Sequence, residues 1–236
     1  MDTMVKRTEE STLTSAIAEN LRREIVSGKF RPGEKLKARE LAQRYEVGIG
    51  PVREALNRLT SDRIVVFNDH RGFAVAEIGV SELEDLLLAR LWVNERALRE
   101  SLSKGGSEWE DELVLAHHRL LGATKNRGEG ISDEWERAHR RFHRALVSAC
   151  GSSWIVDACD RLFDMADLYR SVARTAPDYN RGGRDAEHEE LMNAALERRI
   201  DDAVALLNHH FTKTADSCRT VLSSEIAPRA RRKHFA

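Results

Sequence analysis

LKARELAQRYEVGIGPVREALNRLTSDRIVVFNDHRGFAV, residues 36–75, is the stretch that decides the fold. Leu41 and Ala42 fall on one face of a predicted helix over Ala38 to Tyr45. Val52, Ala55, Leu56 and Leu59 recur at helical intervals on a second, over Pro51 to Leu59. Between them Val47 and Gly48 form a tight turn, and Pro51 suits the first turn of a helix. Two short apolar runs then follow, VVF and GFAV, on either side of a polar tip. Two short helices meeting at a turn, with a β-hairpin directly after them, are the parts of a winged helix-turn-helix. Each helix buries one face against the other, and the opposite faces are left for double-stranded DNA.

Within that unit Arg39, Arg53 and Arg58 are placed to use the free surface. The second helix, opening near Ile49, directs its backbone N–H groups and positive dipole end outward. His70 and Arg71 at the hairpin tip are candidates for the minor groove. Net charge alone does not point to nucleic acid, since residues 1–80 carry +2 and the remainder −3. Binding therefore rests on local placement of arginines, and counterion release makes it fall steeply with salt.

From Ser81 onward the chain reads as helix after helix, over about 81–103, 107–126, 132–149, 153–174, 179–197 and 201–224. Ser81 with Glu84 and Ser107 with Glu110 have capping-box spacing, and Ser132 or Asp133 opens a third segment. Glycines and the TAPDYNRGG stretch punctuate the run, and no alternating pattern interrupts it. The fold class is mainly α: an amino-terminal winged helix-turn-helix over residues 1–78, then an all-α bundle of six or seven helices over 79–226. A basic tail, 227–236, is expected to be disordered. No run of 18 apolar residues exists and the amino terminus lacks an apolar signal core, so the expectation is a soluble, cytoplasmic protein with no membrane partner. Cys150, Cys159 and Cys218 include no close CxxC pair and read as buried, reduced thiols.

The chemistry of the second half lies in its histidines. His139 and His143 are four apart and share a helix face. His188 and His210 are equidistant from Arg199, where the chain is expected to turn, so an antiparallel hairpin brings them to one height. All four imidazoles can then converge inside the bundle as neutral ligands of a divalent metal, zinc or nickel. Four neutral ligands leave such a site at +2, which attracts an anion. His209 points away from His210, and His117 and His118 fit no pattern. Arg90, Arg144 and Arg170 are candidates to pair with the far end of a small carboxylate effector. A metal-dependent hydrolase is the alternative. A zinc protease wants HExxH, but residues 139–143 read HRRFH, with Arg140 where the general-base Glu belongs, and the protein is read as no enzyme.

Leu21, Arg22, Ile25, Gly28, PGEKL at 32–36, ELA at 40–42, PVREAL at 51–56 and RGFAV at 71–75 follow in order the pattern of the GntR family of bacterial transcriptional regulators, which the chain resembles. The second half resembles the FCD effector-binding domain of the FadR subfamily, an all-helical bundle that in many members holds a divalent metal. Phe142–His143, Glu187–His188 and His210 match its FH, EH and last-helix positions, and Arg90 matches a first-helix arginine. The resemblance implies a homodimer on a two-half-site operator, with Trp92, Leu88 and Leu91 as candidate interface or core, and DNA affinity set by the effector. Two departures stand out. His139 occupies the position of a usual Asp ligand, removing a negative charge. Gly48 and Ile49 replace a Ser or Thr followed by Arg, so a guanine contact is absent, the operator differs, and Ile49 is left for an apolar contact such as a thymine methyl.

Overall fold

The computed structural model describes residues 2–125, 132–174 and 184–230, and the chain divides into two compact units, 1–80 with 164–175 and 81–163 with 176–236. The first unit comprises α1 (Asp2–Val26), β1 (Lys35–Leu36), α2 (Ala38–Arg44), α3 (Ile49–Ser61), β2 (Val65–Asn68) and β3 (Gly72–Val75). The sheet is antiparallel in the order β1-β3-β2, with Leu36 opposite Phe73 and Phe67 also opposite Phe73. Short β1 caps the hairpin edge and was not foreseen from sequence.

Ile17, Leu21 and Ile25 recur every four residues and bury one stripe of α1 against α3, where Val52, Leu56 and Leu59 are fully covered. Val47 N–H to Ala42 O, at 3.0 Å, closes the helix-turn-helix corner. One detail differs from the sequence expectation. The left-handed residue of the turn is Glu46, at φ 54°, whereas Gly48 is extended at φ −65°, ψ 156° and serves as the N-cap of α3. The wing tip turns through His70, also left-handed at φ 65°, into Gly72 at φ 78°. Because Leu56 is wholly buried between α1 and the hairpin base, Leu56→Ala is expected to lower the unfolding free energy by about 2–5 kcal/mol, read from denaturant midpoints.

Residues 164–175 also belong to this unit. All but the last two come from the end of α7 (Ser153–Ala173), whose Leu168 joins the core around α1. Arg22 pairs with both Asp62 and Asp164, and Arg174 donates to Val26 O at 2.7 Å.

The second unit contains α4 (Val80–Lys104), α5 (Ser107–Lys125), α6 (Asp133–Val147), the first half of α7, α8 (Arg184–Leu196) and α9 (Ile200–Ala230). Leu98, Leu113, Leu120, Trp135, Phe142, Leu146, Leu191, Leu207 and Phe211 form its core. Ser132 caps α6 by accepting from Trp135 N at 3.1 Å, while Ser81 and Ser107 lie inside their helices rather than capping them. Gly105 is required sterically, since a Cβ there would sit 2.6 Å from the Trp109 ring and 2.8 Å from Ser101 O. Arg198, left-handed at φ 57°, turns α8 into α9 and reaches the α4–α5 corner, donating to Leu102 O at 3.0 Å and Gly105 O at 2.7 Å. Helix α9 continues to Ala230, so the first four residues of the expected disordered tail are helical, and 231–236 lie outside the described residues. Among the described residues no helix is long and apolar enough to cross a membrane.

Candidate DNA-binding surface and histidine centre

Helix α3 buries Val52, Ala55, Leu56 and Leu59 and leaves Ile49, Gly50, Arg53 and Asn57 exposed. Arg39 on α2 is exposed as well, and neither Arg39 nor Arg53 makes a hydrogen bond or ion pair among the described residues. Arg58 is different. Its guanidinium donates to Ser15 Oγ at 2.8 Å and to Glu54 at 3.0 Å, which ties α3 to α1. His70 and Arg71 are exposed at the wing tip. Arg71 lines a shallow recess of about 790 Å³ on the wing with Lys35, Asn68 and Asp69. An unpaired guanidinium on a helix that projects from a compact unit has no partner inside the fold to satisfy it. It is available to phosphate or to a base edge.

In the second unit α6 supplies His139 and His143, α8 supplies His188 and α9 supplies His210. The helical hairpin of α8 and α9 turns at 197–199, bringing the last two level as the spacing requires. One ring nitrogen from each lies within 4.8 Å of those from the other three, and every one of the four side chains is buried. His139 Nε2 and His143 Nε2 are 3.0 Å apart, and the rings of His188 and His210 are 4.7 Å apart. Around them stand apolar walls. Trp135 stacks on His139 at 4.5 Å, Phe163 packs on both α6 histidines, and Phe142 lies 5.2 Å from His188.

Each imidazole, when neutral, has one ring nitrogen with a lone pair to offer a cation. The donor set therefore fits a nitrogen-preferring divalent ion.

Glu187 completes the arrangement and was named from sequence only as half of the EH pair. Its Oε2 lies 2.8 Å from His210 Nδ1, placed to accept that proton, so that Nε2 is the nitrogen His210 could offer a metal. That hydrogen bond, reinforced by Lys213, holds the carboxyl down at about 2 despite partial burial. With a divalent ion on the four imidazoles, this neighbouring carboxylate would bring the local charge below +2.

The candidate arginines have different surroundings. Arg90 is buried on α4, with its guanidinium 3.8 Å from the centre of the Phe211 ring, and Phe211 in turn packs on His143 and His210. Arg144 is half exposed and paired with Asp160. Arg170 is buried in the first unit, paired with Asp167. His209 is exposed, as its position on the helix predicts, and lines a surface groove with Glu190, Asn193 and Asp202. His117 is buried beside Phe142, where desolvation lowers its pKa. The three cysteines are buried and form no disulfide among the described residues, and burial pushes the Cys159 thiol up to about 12, so it is unreactive.

A winged helix-turn-helix with unpaired arginines, on the same chain as a helical domain built around buried histidines, is the architecture of a DNA-binding regulator with a sensor domain. Comparison with known proteins agrees. Residues 13–75 match the family described as bacterial regulatory proteins, gntR family, and residues 85–213 match the FCD domain. The chain is 35% identical over 195 residues to the HTH-type transcriptional repressor GlaR of Escherichia coli K12, covering 80% of this chain and 88% of the relative. It is 34% identical over 213 residues to the HTH-type transcriptional regulator BphR of Paraburkholderia xenovorans LB400, covering 88% and 86%. Among solved structures, E. coli McbR/YncC superposes with a TM-score of 0.73 at 18% identity over 91% of this chain and 98% of that one, a likeness of fold alone. The chain belongs to the GntR family of transcriptional regulators and carries a carboxy-terminal FCD domain. Regulators of this type are not enzymes. They bind DNA through the first domain and small-molecule effectors through the second, and FCD domains commonly bind a metal.

Proposed function

We propose that this protein is a FadR-type cytoplasmic regulator that binds a palindromic operator as a homodimer, its DNA affinity governed by a small carboxylate effector at a divalent metal held by His139, His143, His188 and His210. The observation that carries this reading is the convergence of four buried imidazoles within 4.8 Å. Zinc or nickel suits an all-imidazole set. The metal supplies a positive centre for one end of the carboxylate. Arg90, buried against the Phe211 ring that itself packs on His143 and His210, is the cation best suited to the other, whereas Arg144 is half exposed.

Arg39, Arg53 and Ile49 face the operator in this reading, with His70 and Arg71 at the flanking minor groove and Arg58 contributing charge while it braces α3. A helix-turn-helix dimer reads two half-sites, which sets the palindrome. Trp92, 69% exposed, and Leu88, 44% exposed, stand one turn apart on α4 and offer apolar surface for self-association, whereas Leu91 packs against the core. Effector binding favours one of two states of the bundle, and the states differ in operator affinity.

Calorimetric titration of the metal-loaded protein with small monocarboxylates, dicarboxylates and hydroxy acids tests the effector site. At least one is expected to bind the loaded protein and not the chelator-stripped protein, with binding weakened about tenfold or more in Arg90→Met. Equal binding to both forms contradicts the metal's role. A separate expectation concerns Glu187: Glu187→Ala, which frees the His210 ring, is expected to weaken metal binding roughly 10- to 100-fold in competition with a chromogenic chelator.

A further inference from the structure

Helix α3 opens with Gly48-Ile49-Gly50: Gly48 is its N-cap, a position where glycine is ordinarily favoured, and nothing inside the fold asks for Gly50. Gly48 has an ordinary extended backbone at φ −65°, and a Cβ added there would meet only Pro51 Cδ, at 3.8 Å. At Gly50 a Cβ would meet nothing within 4 Å. Neither residue is among the positive-φ positions of the chain. Glycine inside a helix costs stability, and alanine is better tolerated there unless the backbone must be approached closely from outside. Between these two bare positions Ile49 holds an isoleucine side chain 42% exposed to solvent, although the packed face of the same helix covers its other aliphatic side chains.

We infer that this Gly-Ile-Gly turn is a base-reading device: the paired glycines let the start of α3 approach the floor of the major groove, and Ile49 reads the 5-methyl group of a thymine. The inference rests on the operator-binding reading above. Residues at the start of a recognition helix face base edges, and in the major groove the one apolar mark on any base pair is the thymine methyl. An aliphatic side chain with no donor or acceptor discriminates by that methyl and by nothing else at the edge. Bare flanks remove the steric shell that would hold a short, branched side chain away from it. Arg53, four residues along the same exposed face and unpaired, is then the polar reader at the next position of the half-site.

Selection from a library of random-sequence duplexes with the full-length protein, followed by affinity measurements on the selected site, tests this. The wild type is expected to enrich a T·A pair at one position of each half-site, and Ile49→Ala to lose the preference at that position alone. Replacing that thymine by deoxyuridine, which deletes only the methyl, is expected to weaken wild-type binding about three- to fivefold and to leave the Ile49→Ala variant unaffected. Gly50→Leu is expected to keep the thermal midpoint of the wild type and to lose about tenfold or more in affinity for the same duplex. Deoxyuridine without effect on the wild type, an equal deoxyuridine penalty in Ile49→Ala, or a Gly50→Leu variant that binds as well as wild type overturns the inference while leaving operator binding intact. No enriched sequence at all overturns the operator reading, and the inference with it.

Discussion

Protein purified without a histidine tag is expected to carry about one equivalent of zinc or nickel per chain, and the His143→Ala, His188→Ala variant less than a tenth of that by elemental analysis. Apparent binding free energies of structural zinc sites run to about 10–16 kcal/mol for a full ligand set. Deleting two of four donors forfeits several kcal/mol, or three or more decades of affinity. The two positions are informative because they lie on different helices, α6 and α8, so their joint requirement reports a shared centre rather than a local surface pair. Small-for-large replacement in a buried cluster also opens a cavity, so His143→Gln, His188→Gln serves as the volume-conserving control and is expected to be equally poor in metal. Unchanged metal content in either variant would remove the centre from the account.

Arg53→Ala is expected to cost about ten- to a hundredfold in operator affinity, corresponding to the roughly 1–3 kcal/mol of a specific base contact. Its side chain is exposed and ties to nothing in the fold, so the thermal midpoint is expected to stay within a degree or so of wild type. Arg58→Ala is expected to behave differently. Arg58 anchors α3 to Ser15 of α1, and its loss is expected to affect folded stability together with DNA binding. If Arg53→Ala binds as tightly as wild type in gel-retardation titrations at a fixed salt concentration, the base-reading face of α3 is not where Ile49 and Arg53 place it. The wild-type complex is expected to weaken linearly in log affinity with log salt, with a slope near −0.9 per phosphate neutralised.

Much of this fold was legible in the residues because the periodicities are clean. Val52, Ala55, Leu56 and Leu59 could make only one face of one helix, and all four are buried where that face meets α1. The equal distances of His188 and His210 from the α8–α9 turn were equally plain, because helical rise converts sequence separation directly into height. What sequence did not show was of another kind. Helix α1 was visible only as isolated motif positions, since its packed stripe, Ile17, Leu21 and Ile25, sits within a long polar segment. That 164–175 side with the first unit depends on Asp164 meeting Arg22, a pairing across 142 residues with no local signature. Arg170, a candidate from sequence to pair with a carboxylate effector, lies on the end of α7 that tertiary contacts assign to the first unit, and position on a helix does not reveal which neighbour the helix serves. Glu187 stands out in the sequence only as half of the EH pair. Its role in orienting His210 needed the 23-residue separation to close in space.

Fluorescence-anisotropy titration of a fluorescent operator duplex bears most directly on the central claim that the histidine centre governs the groove reader. It compares metal-loaded wild type, chelator-stripped wild type and the His143→Ala, His188→Ala variant, each with and without the carboxylate found by calorimetry. The account predicts that the carboxylate shifts operator affinity of the loaded wild type by about 5- to 150-fold and leaves the other two unmoved. A carboxylate response of the same size in the double variant, or none in the loaded wild type, would contradict it.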